Sequence, residues 1–524
     1  MGLKKIKKIS SYLIPILVFM AIPIFLRFLS PNVADPDAFY HLKHALIYRT
    51  QGLFDSSFPW AQYSVVKDLK CDMWWGFHLL SIPLTYFSNT LNGIYLGTAI
   101  NMFLGTLLIF FAFKNFSFRW PLFWTLIFIF SSQNTIFRLF MFRPHVITLG
   151  LCLFLFSLLT KSWDEKGKGK WVLGGIFLIS FLISWLHTII AWIPLAIFFS
   201  IAFFGYFLKF VPPWKRFLLG SLGIIMGVLL RPNPAGCLKL FYMFSGGLAE
   251  AKKVSLPLDF GLELQPLEFN HIFWNPVFVI FAFSAIVVFI LVGSRLWKGF
   301  KISEKIILLT SLLATPVFFL ATIASAARSY DYFAAFGTIL TGLVFCKLYA
   351  NDKLVRKAFL IAGGIAVLVS SAFLSLSGFK GGMTCAVTPN RYQEAAVWLK
   401  ENTKPGEIVF HSHWDQFGPL FFWNSQNYYI NAMDPILEYK YSPDLAWKHV
   451  HLAYDFFPSA TCGVQRCSKD NFKDTYKVLK DDFKASYVFV TPANKNLYTY
   501  MSGTKGFKKV FEVENQAIFK IIPR

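Results

Sequence analysis

Asp35-Pro36-Asp37-Ala38-Phe39-Tyr40-His41-Leu42-Lys43 follows directly on an apolar run at 12–29. Two carboxylates beside a segment long enough to cross a bilayer are expensive to place, so they mark a functional site before anything else is read. The plain alternative is that Asp35 and Asp37 only cap a helix starting near Ala38, a role Asp fills well. The run at 12–29 reads as an uncleaved anchor, because Arg27 and Ser30-Pro31 make a poor cleavage site and many apolar runs follow.

The rest of the chain supports a membrane reading. Of 524 residues, 55% are hydrophobic and only 15% charged, with a mean hydropathy of +0.51. A soluble globule could not bury that much apolar surface. The net charge of +23 would suggest nucleic acid in a soluble protein. Here the Lys and Arg sit largely in short loops between apolar runs, which is the signature of cytoplasmic loops, and no nucleic-acid partner is expected.

Lys4, Lys5, Lys7 and Lys8 place the N-terminus in the cytoplasm. About eleven spans then follow, near 12–29, 93–113, 121–137, 144–160, 171–186, 189–208, 217–230, 272–294, 306–326, 332–346 and 358–377. One assumption puts every basic loop, 161–170 and the segment around Lys353 among them, on the inner side: the aromatic-flanked stretch 74–87 lies on the surface rather than crossing. Outer loops fall at 31–92 and 231–271. The fold class expected is a polytopic α-helical membrane protein, 1–379, followed by an extracytoplasmic α/β domain, 380–524. In that tail, amphipathic helices at 392–401 and 472–483 alternate with apolar runs at 407–410, 486–490, 507–513 and 517–522. Cys462 and Cys467 could pair there in an oxidising compartment, and the cysteine spacing does not suggest structural zinc.

This topology gathers Asp35, Asp37, His41, Arg138, Arg143, His145, His187, Arg231, Asn233, Glu263, Arg328 and Asp331 at the outer ends of spans or in outer loops. Acids, arginines and histidines on one face suit an anionic, sugar-bearing substrate. A carboxylate can take an acceptor's proton or hold a divalent metal. Asp35, Asp37 and Glu263 are the candidates, with Glu250, Asp259 and Glu268 competing in the loop of Glu263. A guanidinium binds phosphate oxygens in pairs and stays charged. Arg328 is the first candidate, followed by Arg138 and Arg143, against headgroup contact or a simple Arg328–Asp331 pair. His145 and His187 read more readily as packing residues.

These motifs resemble the GT-C superfamily of integral-membrane glycosyltransferases, which use polyprenyl- or dolichyl-linked donors and carry a catalytic Asp in the first outer loop. Asp37 through Lys43 is similar to the Asp-x-aromatic-aromatic-His/Asn-x-basic signature of oligosaccharyltransferase catalytic subunits. The first span, outer loop and stretch 74–87 are similar in layout to protein O-mannosyltransferases and lipid A aminoarabinose transferases. Arg231-Pro232-Asn233-Pro234-Ala235-Gly236 and Glu263-Leu264-Gln265-Pro266 look like bacterial GT-C patterns. His413-Trp414-Asp415-Gln416-Phe417-Gly418 resembles an acceptor-recognition motif, Trp414 and Asp415 holding position.

The resemblance implies Asp37 as base or as ligand of Mg²⁺ or Mn²⁺, and Arg328 on carrier phosphate with Arg143, Arg138 and His145 nearby. It implies acceptor binding by Trp414 and Asp415. The implied partners are a polyprenyl-linked sugar donor, membrane lipids and a protein, glycan or lipid acceptor, at a bacterial inner membrane. One departure stands out. Oligosaccharyltransferases carry a second acidic pair in the outer loop after the third span, whereas Gln133 through His145 contains no acid. The rival functions are a flippase for lipid-linked sugars, which would place charges at mid-membrane, and a non-catalytic scaffold of envelope-polysaccharide assembly.

Overall fold

The computed structural model describes residues 2–161, 169–211, 214–254, 262–292, 294–351, 354–454 and 457–524. Lys166, Lys168, Lys353 and Asp259 lie outside these. Most apolar runs read as spans fall on a single helix, 121–137 and 272–294 being divided. Among the described residues seven helices are long and apolar enough to cross a bilayer: Ser11–Leu29, Thr90–Asn115, Gly169–Leu186, Thr188–Phe207, Ile302–Ala324, Ala327–Ala350 and Val355–Thr384. Two bent pairs bring the number of spans to as many as nine. Pro276–Leu291 is apolar but shorter. Small residues let helices meet closely: a Cβ on Gly105 would lie 2.6 Å from the Val146 carbonyl oxygen, and one on Gly150 2.6 Å from that of Gly105. The protein is thus an integral membrane protein with a helical body and a C-terminal domain that contains a sheet.

Two departures from the sequence reading shape the outer end. The run 121–137 is not one helix. It breaks into Pro121–Ile129 and Gln133–Leu139, because the Ser132 hydroxyl caps the second piece by accepting from the Thr135 N–H at 3.0 Å. Gln133–Leu139 then meets Pro144–Thr160 at 106°, and this corner carries Arg138 and Arg143. The loop 231–271 is no plain loop either. Pro234–Lys253 is a 20-residue helix, bent 103° from Trp214–Leu229. At the bend Asn233 adopts φ 46° and donates from Nδ2 to the Leu69 carbonyl at 2.6 Å. The stretch 74–87 forms only Trp75–Ser81 and the 3-10 turn Ile82–Tyr86, too short to cross.

In the C-terminal domain strands β1 (Ile408–His411), β2 (Tyr428–Tyr429), β5 (Ala485–Val490), β6 (Phe507–Val513) and β7 (Gln516–Ile521) form a sheet ordered β2-β1-β5-β7-β6. It is parallel across β2, β1 and β5, and antiparallel from β5 through β7 to β6. Strands β3 (Ala460–Thr461) and β4 (Lys473–Asp474) pair separately. Beside them Cys462 and Cys467 form a disulfide. The expected helix at 472–483 is therefore cut short: β4 takes its start, leaving Thr475–Lys477 and a π turn at Val478–Asp482. The domain is joined to the first loop by backbone. Tyr429 donates to the Trp60 carbonyl at 2.7 Å, Gln62 to Tyr429 at 2.9 Å and Tyr63 to Ile430 at 2.8 Å. Val33 and Val387 exchange two more bonds.

Candidate active site

Asp35 and Asp37 divide the two roles the sequence left open. The Asp35 Oδ1 accepts the Asp37 N–H at 2.8 Å, which caps the helix Asp37–Gln51. The Asp37 carboxyl is left for other use, at the positive end of that helix. It is the most open carboxylate of its cluster, with 28% of its side-chain surface accessible, against 5% for Asp35 and 20% for Glu263.

The corner arginines bind these acids together. Arg143 donates to both Asp35 oxygens, at 2.6 and 2.9 Å. It also reaches Asp37 Oδ2 at 2.8 Å and Glu263 Oε1 at 2.8 Å. Arg138 takes the other Glu263 oxygen at 2.6 Å and Asp331 at 2.7 Å. Asp331 is thus the partner of Arg138 and not of Arg328. His145 Nε2 lies 3.2 Å from the Arg138 carbonyl oxygen. Four carboxyls meet two guanidiniums in one network that spans the first loop, the corner, the second outer loop and the start of a late span. Among the described residues Arg328 has no carboxylate within ion-pair distance, so its guanidinium remains available for an anion.

Electrostatics separates the acids. Burial pushes Asp37 up to about 7; Arg143 opposes the rise, while the charges of Asp35, Glu263 and Asp434 add to it. Burial works the same way on Glu263, but Arg143 and Arg138 outweigh it and hold that carboxyl well below the usual range. Asp434 is pushed up to about 6 by burial, with the Ile436 N–H and Arg328 opposing. Asp434, the cap of the helix Pro435–Tyr441 in the C-terminal domain, therefore lies near enough to feel the charges of Arg328 and Glu263. Sequence reasoning missed it, because an Asp before Pro in a turn reads only as a helix start. His187 is pushed down to about 3 by burial and the charges of Arg328 and Arg143. It is neutral, and its buried Nδ1 has no partner in the structure.

The other predicted residues have partners of their own. Asp415 pairs with Arg391 at 3.3 Å and is a third exposed. Trp414 lies with it in a 3-10 turn that runs into the helix Phe417–Trp423. That helix packs on the segment around Asp37: a Cβ on Gly418 would sit 2.5 Å from the Pro36 carbonyl oxygen, and the Phe39 and Phe422 rings meet at 5.2 Å. Glu250 pairs with Lys440, which leaves Glu263 as the acid of its loop in the network. Arg231 is a staple, donating to the carbonyls of Ser184 at 2.7 Å and Gly227 at 2.8 Å. A mainly apolar cavity of about 440 Å³ is lined by Ile24, Arg27, Ala34, Tyr95 and Phe140, among others. Of its lining, Ala34 precedes Asp35 in the chain and Phe140 belongs to the corner between the two arginines.

No protein-family profile and no curated protein sequence matches the chain. Solved structures do match in fold. The apo oligosaccharyltransferase of Archaeoglobus fulgidus is similar at a TM-score of 0.58 and 14% identity, over 92% of this chain and 70% of that one. ArnT from Cupriavidus metallidurans, bound to undecaprenyl phosphate, is similar at 0.51 and 10% identity, over 97% and 98%. The mycobacterial arabinofuranosyltransferase AftD is similar at 0.52 and 13%, over 97% of this chain but 40% of its own. The chain has the fold of the GT-C membrane glycosyltransferases.

Proposed function

We propose that this protein is an inverting glycosyltransferase. It moves a sugar or oligosaccharide from a polyprenyl phosphate or diphosphate carrier to an acceptor on the outer side of the membrane. The observation that carries this reading is Asp37: an accessible carboxyl at a helix start, held by Arg143 and poised near neutrality, on a fold whose solved examples include transferases. The A. fulgidus enzyme has been captured with dolichol-phosphate and with an acceptor peptide, and ArnT with undecaprenyl phosphate. A ligand of the same chemistry suits the cleft and the apolar cavity beside it.

In this reading the acceptor's hydroxyl or amide attacks the anomeric carbon as the bond to the carrier oxygen breaks, through an oxocarbenium-like transition state. Asp37 takes the acceptor's proton. The electron pair leaves on the carrier phosphate, where Arg328 and the neutral N–H of His187 meet the growing charge. A single base and no nucleophile give inversion. Glu263 and Asp35 hold Arg143, and Arg143 holds Asp37 in place. The acceptor approaches along the face where Gly418 and Asp434 bring the C-terminal domain, 380–524, against the membrane body, 1–379. The loop charges favour a cytoplasmic N-terminus and an extracytoplasmic tail, as in a bacterial inner-membrane protein.

The acids do not suit Mg²⁺ or Mn²⁺. A hard dication needs carboxylate oxygens converging on one point. The point common to Asp35, Asp37 and Glu263 is filled by the Arg143 guanidinium, within 2.9 Å of each. Arg143 supplies the positive charge a metal would bring, and no metal enters the step.

The test is Asp37→Asn in proteoliposomes with a lipid-linked donor. Transfer should fall about 10²- to 10⁴-fold, the range for losing a general base, with thermal unfolding unchanged. Undiminished turnover would reject the assignment.

A further inference from the structure

We propose that His44, Asp72 and His78 form a zinc site inside the first outer loop, separate from the reaction centre. His44 lies on the helix Asp37–Gln51, His78 on Trp75–Ser81 and Asp72 just ahead of the latter. They are 2%, 3% and 0% exposed in the order His44, Asp72, His78. Each offers one ligand atom, and the three atoms lie within 4.8 Å of one another.

Hydrogen bonds to the far atoms of the three side chains show which atoms face inward. His44 Nδ1 is bonded to the Tyr40 hydroxyl at 2.9 Å. His78 Nε2 is bonded to His41 Nδ1 at 2.8 Å. Asp72 Oδ1 accepts the Trp74 N–H at 2.8 Å. What remains is His44 Nε2, His78 Nδ1 and Asp72 Oδ2. Outer partners of this kind orient metal ligands and fix imidazole tautomers. Asp72 Oδ2 lies 2.6 Å from His78 Nδ1, sharing a proton that a cation would replace, and also accepts the Tyr48 hydroxyl at 3.0 Å. His44 Nε2 is buried with no hydrogen-bond partner in the structure. A purely hydrogen-bonded core has no use for a nitrogen turned inward and left unpaired, and such a group is costly to bury. A cation bound by all three residues satisfies it.

The donor set selects the ion. Two imidazoles and one carboxylate suit zinc, whereas Mg²⁺ and Ca²⁺ prefer oxygen and keep water, which this buried site excludes. Bound zinc would clamp the helix that starts at Asp37 to the helix Trp75–Ser81. Through His78 and His41 it would stiffen the turn next to Asp37.

The test is zinc content of the full-length chain, purified in detergent through a tag without histidines and measured by inductively coupled plasma mass spectrometry. About one equivalent is expected where all three side chains hold the ion. His44→Ala and His78→Ala should lose it, while Asp37→Asn should keep it. Should an alanine variant fail to fold, cobalt exchanged into the wild-type protein should give the intense visible absorption of low-coordinate nitrogen and oxygen ligation. Less than a tenth of an equivalent, with none taken up from added Zn²⁺, would overturn the proposal. So would full zinc content in folded His44→Ala. None of these measurements uses glycosyl transfer, so this site and the transferase assignment fail independently.

Discussion

Asp37 and His44 lie two turns apart on one helix, yet the clusters they join manage buried charge in different ways. Around Asp37, four carboxyls are held by the permanent charges of Arg138 and Arg143. Around His44, one carboxylate faces imidazoles and tyrosines, and its balance rests on a shared proton or a bound ion. The first cluster leaves one acid partly accessible; the second is sealed. A substrate site has to keep its charge geometry while ligands come and go, which guanidiniums do well. A sealed cluster can serve as a fixed support.

The comparison breaks most severely at Arg143. Arg143→Ala strands Asp35 and Asp37 and leaves Glu263 to Arg138 alone. Removing one partner of a buried ion pair costs about 3–5 kcal/mol, so thermal unfolding should drop sharply and transfer should vanish. Arg143→Lys keeps a charge but not the two-pronged grip on Asp35. It should fold and lose about tenfold or more in turnover. A lysine variant as active as the wild type would mean that the fork geometry is not needed.

Next comes the contact between the two parts of the chain. Gly418→Ala places a methyl against the Pro36 carbonyl, one residue from Asp37. The backbone atom it meets cannot step aside cheaply, so the unfolding temperature should fall, and kcat of the folded fraction should drop about tenfold, since displacements of about 1 Å at a reacting group cost up to 10²-fold. An unchanged kcat in the folded fraction would show that Gly418 matters for packing alone. Asp415→Asn is the control in the same motif. Its pair with Arg391 is a third exposed, and such pairs contribute about 1 kcal/mol or less.

Much of this was legible in the sequence, for a physical reason. Charged residues at the ends of apolar runs are rare and costly, so Asp35, Asp37, Arg138, Arg143 and Arg328 stood out against their surroundings, and Glu263 with them once the outer loops were assigned. Their partners did not. Hydrophobic periodicity places a residue on a face but cannot tell that Asp331 meets Arg138 across 193 positions. The break at Ser132 falls in the polar stretch Ser131-Ser132-Gln133-Asn134-Thr135, which the apolar residues on either side average away over a span-length window. Asp72 and His78 went unread because the segment around 74–87 signals only membrane affinity. Asp434 was invisible for want of any local mark; only the tertiary path of the tail brings it near Arg328 and Glu263.

The smallest effect sharpens the contrast furthest. Asp37 must be a carboxylate to take a proton, so kcat/KM should be flat above its pKa and fall as pH drops through about 7. Asp434 sits near 6, so it is largely ionised over the range in which Asp37 titrates, and its negative charge resists the ionisation of Asp37. Asp434→Asn removes that charge while keeping size and a capping oxygen for the Ile436 N–H. The acid limb should then move to lower pH by about half a unit or less, with the plateau rate retained. The His44 cluster carries no such coupling in its proposed role, so His44→Gln should lower stability without moving the limb. A limb that stays at 7 in Asp434→Asn would detach the C-terminal domain from the electrostatics of the reaction. One that moves in His44→Gln would show that the two clusters are a single titrating system.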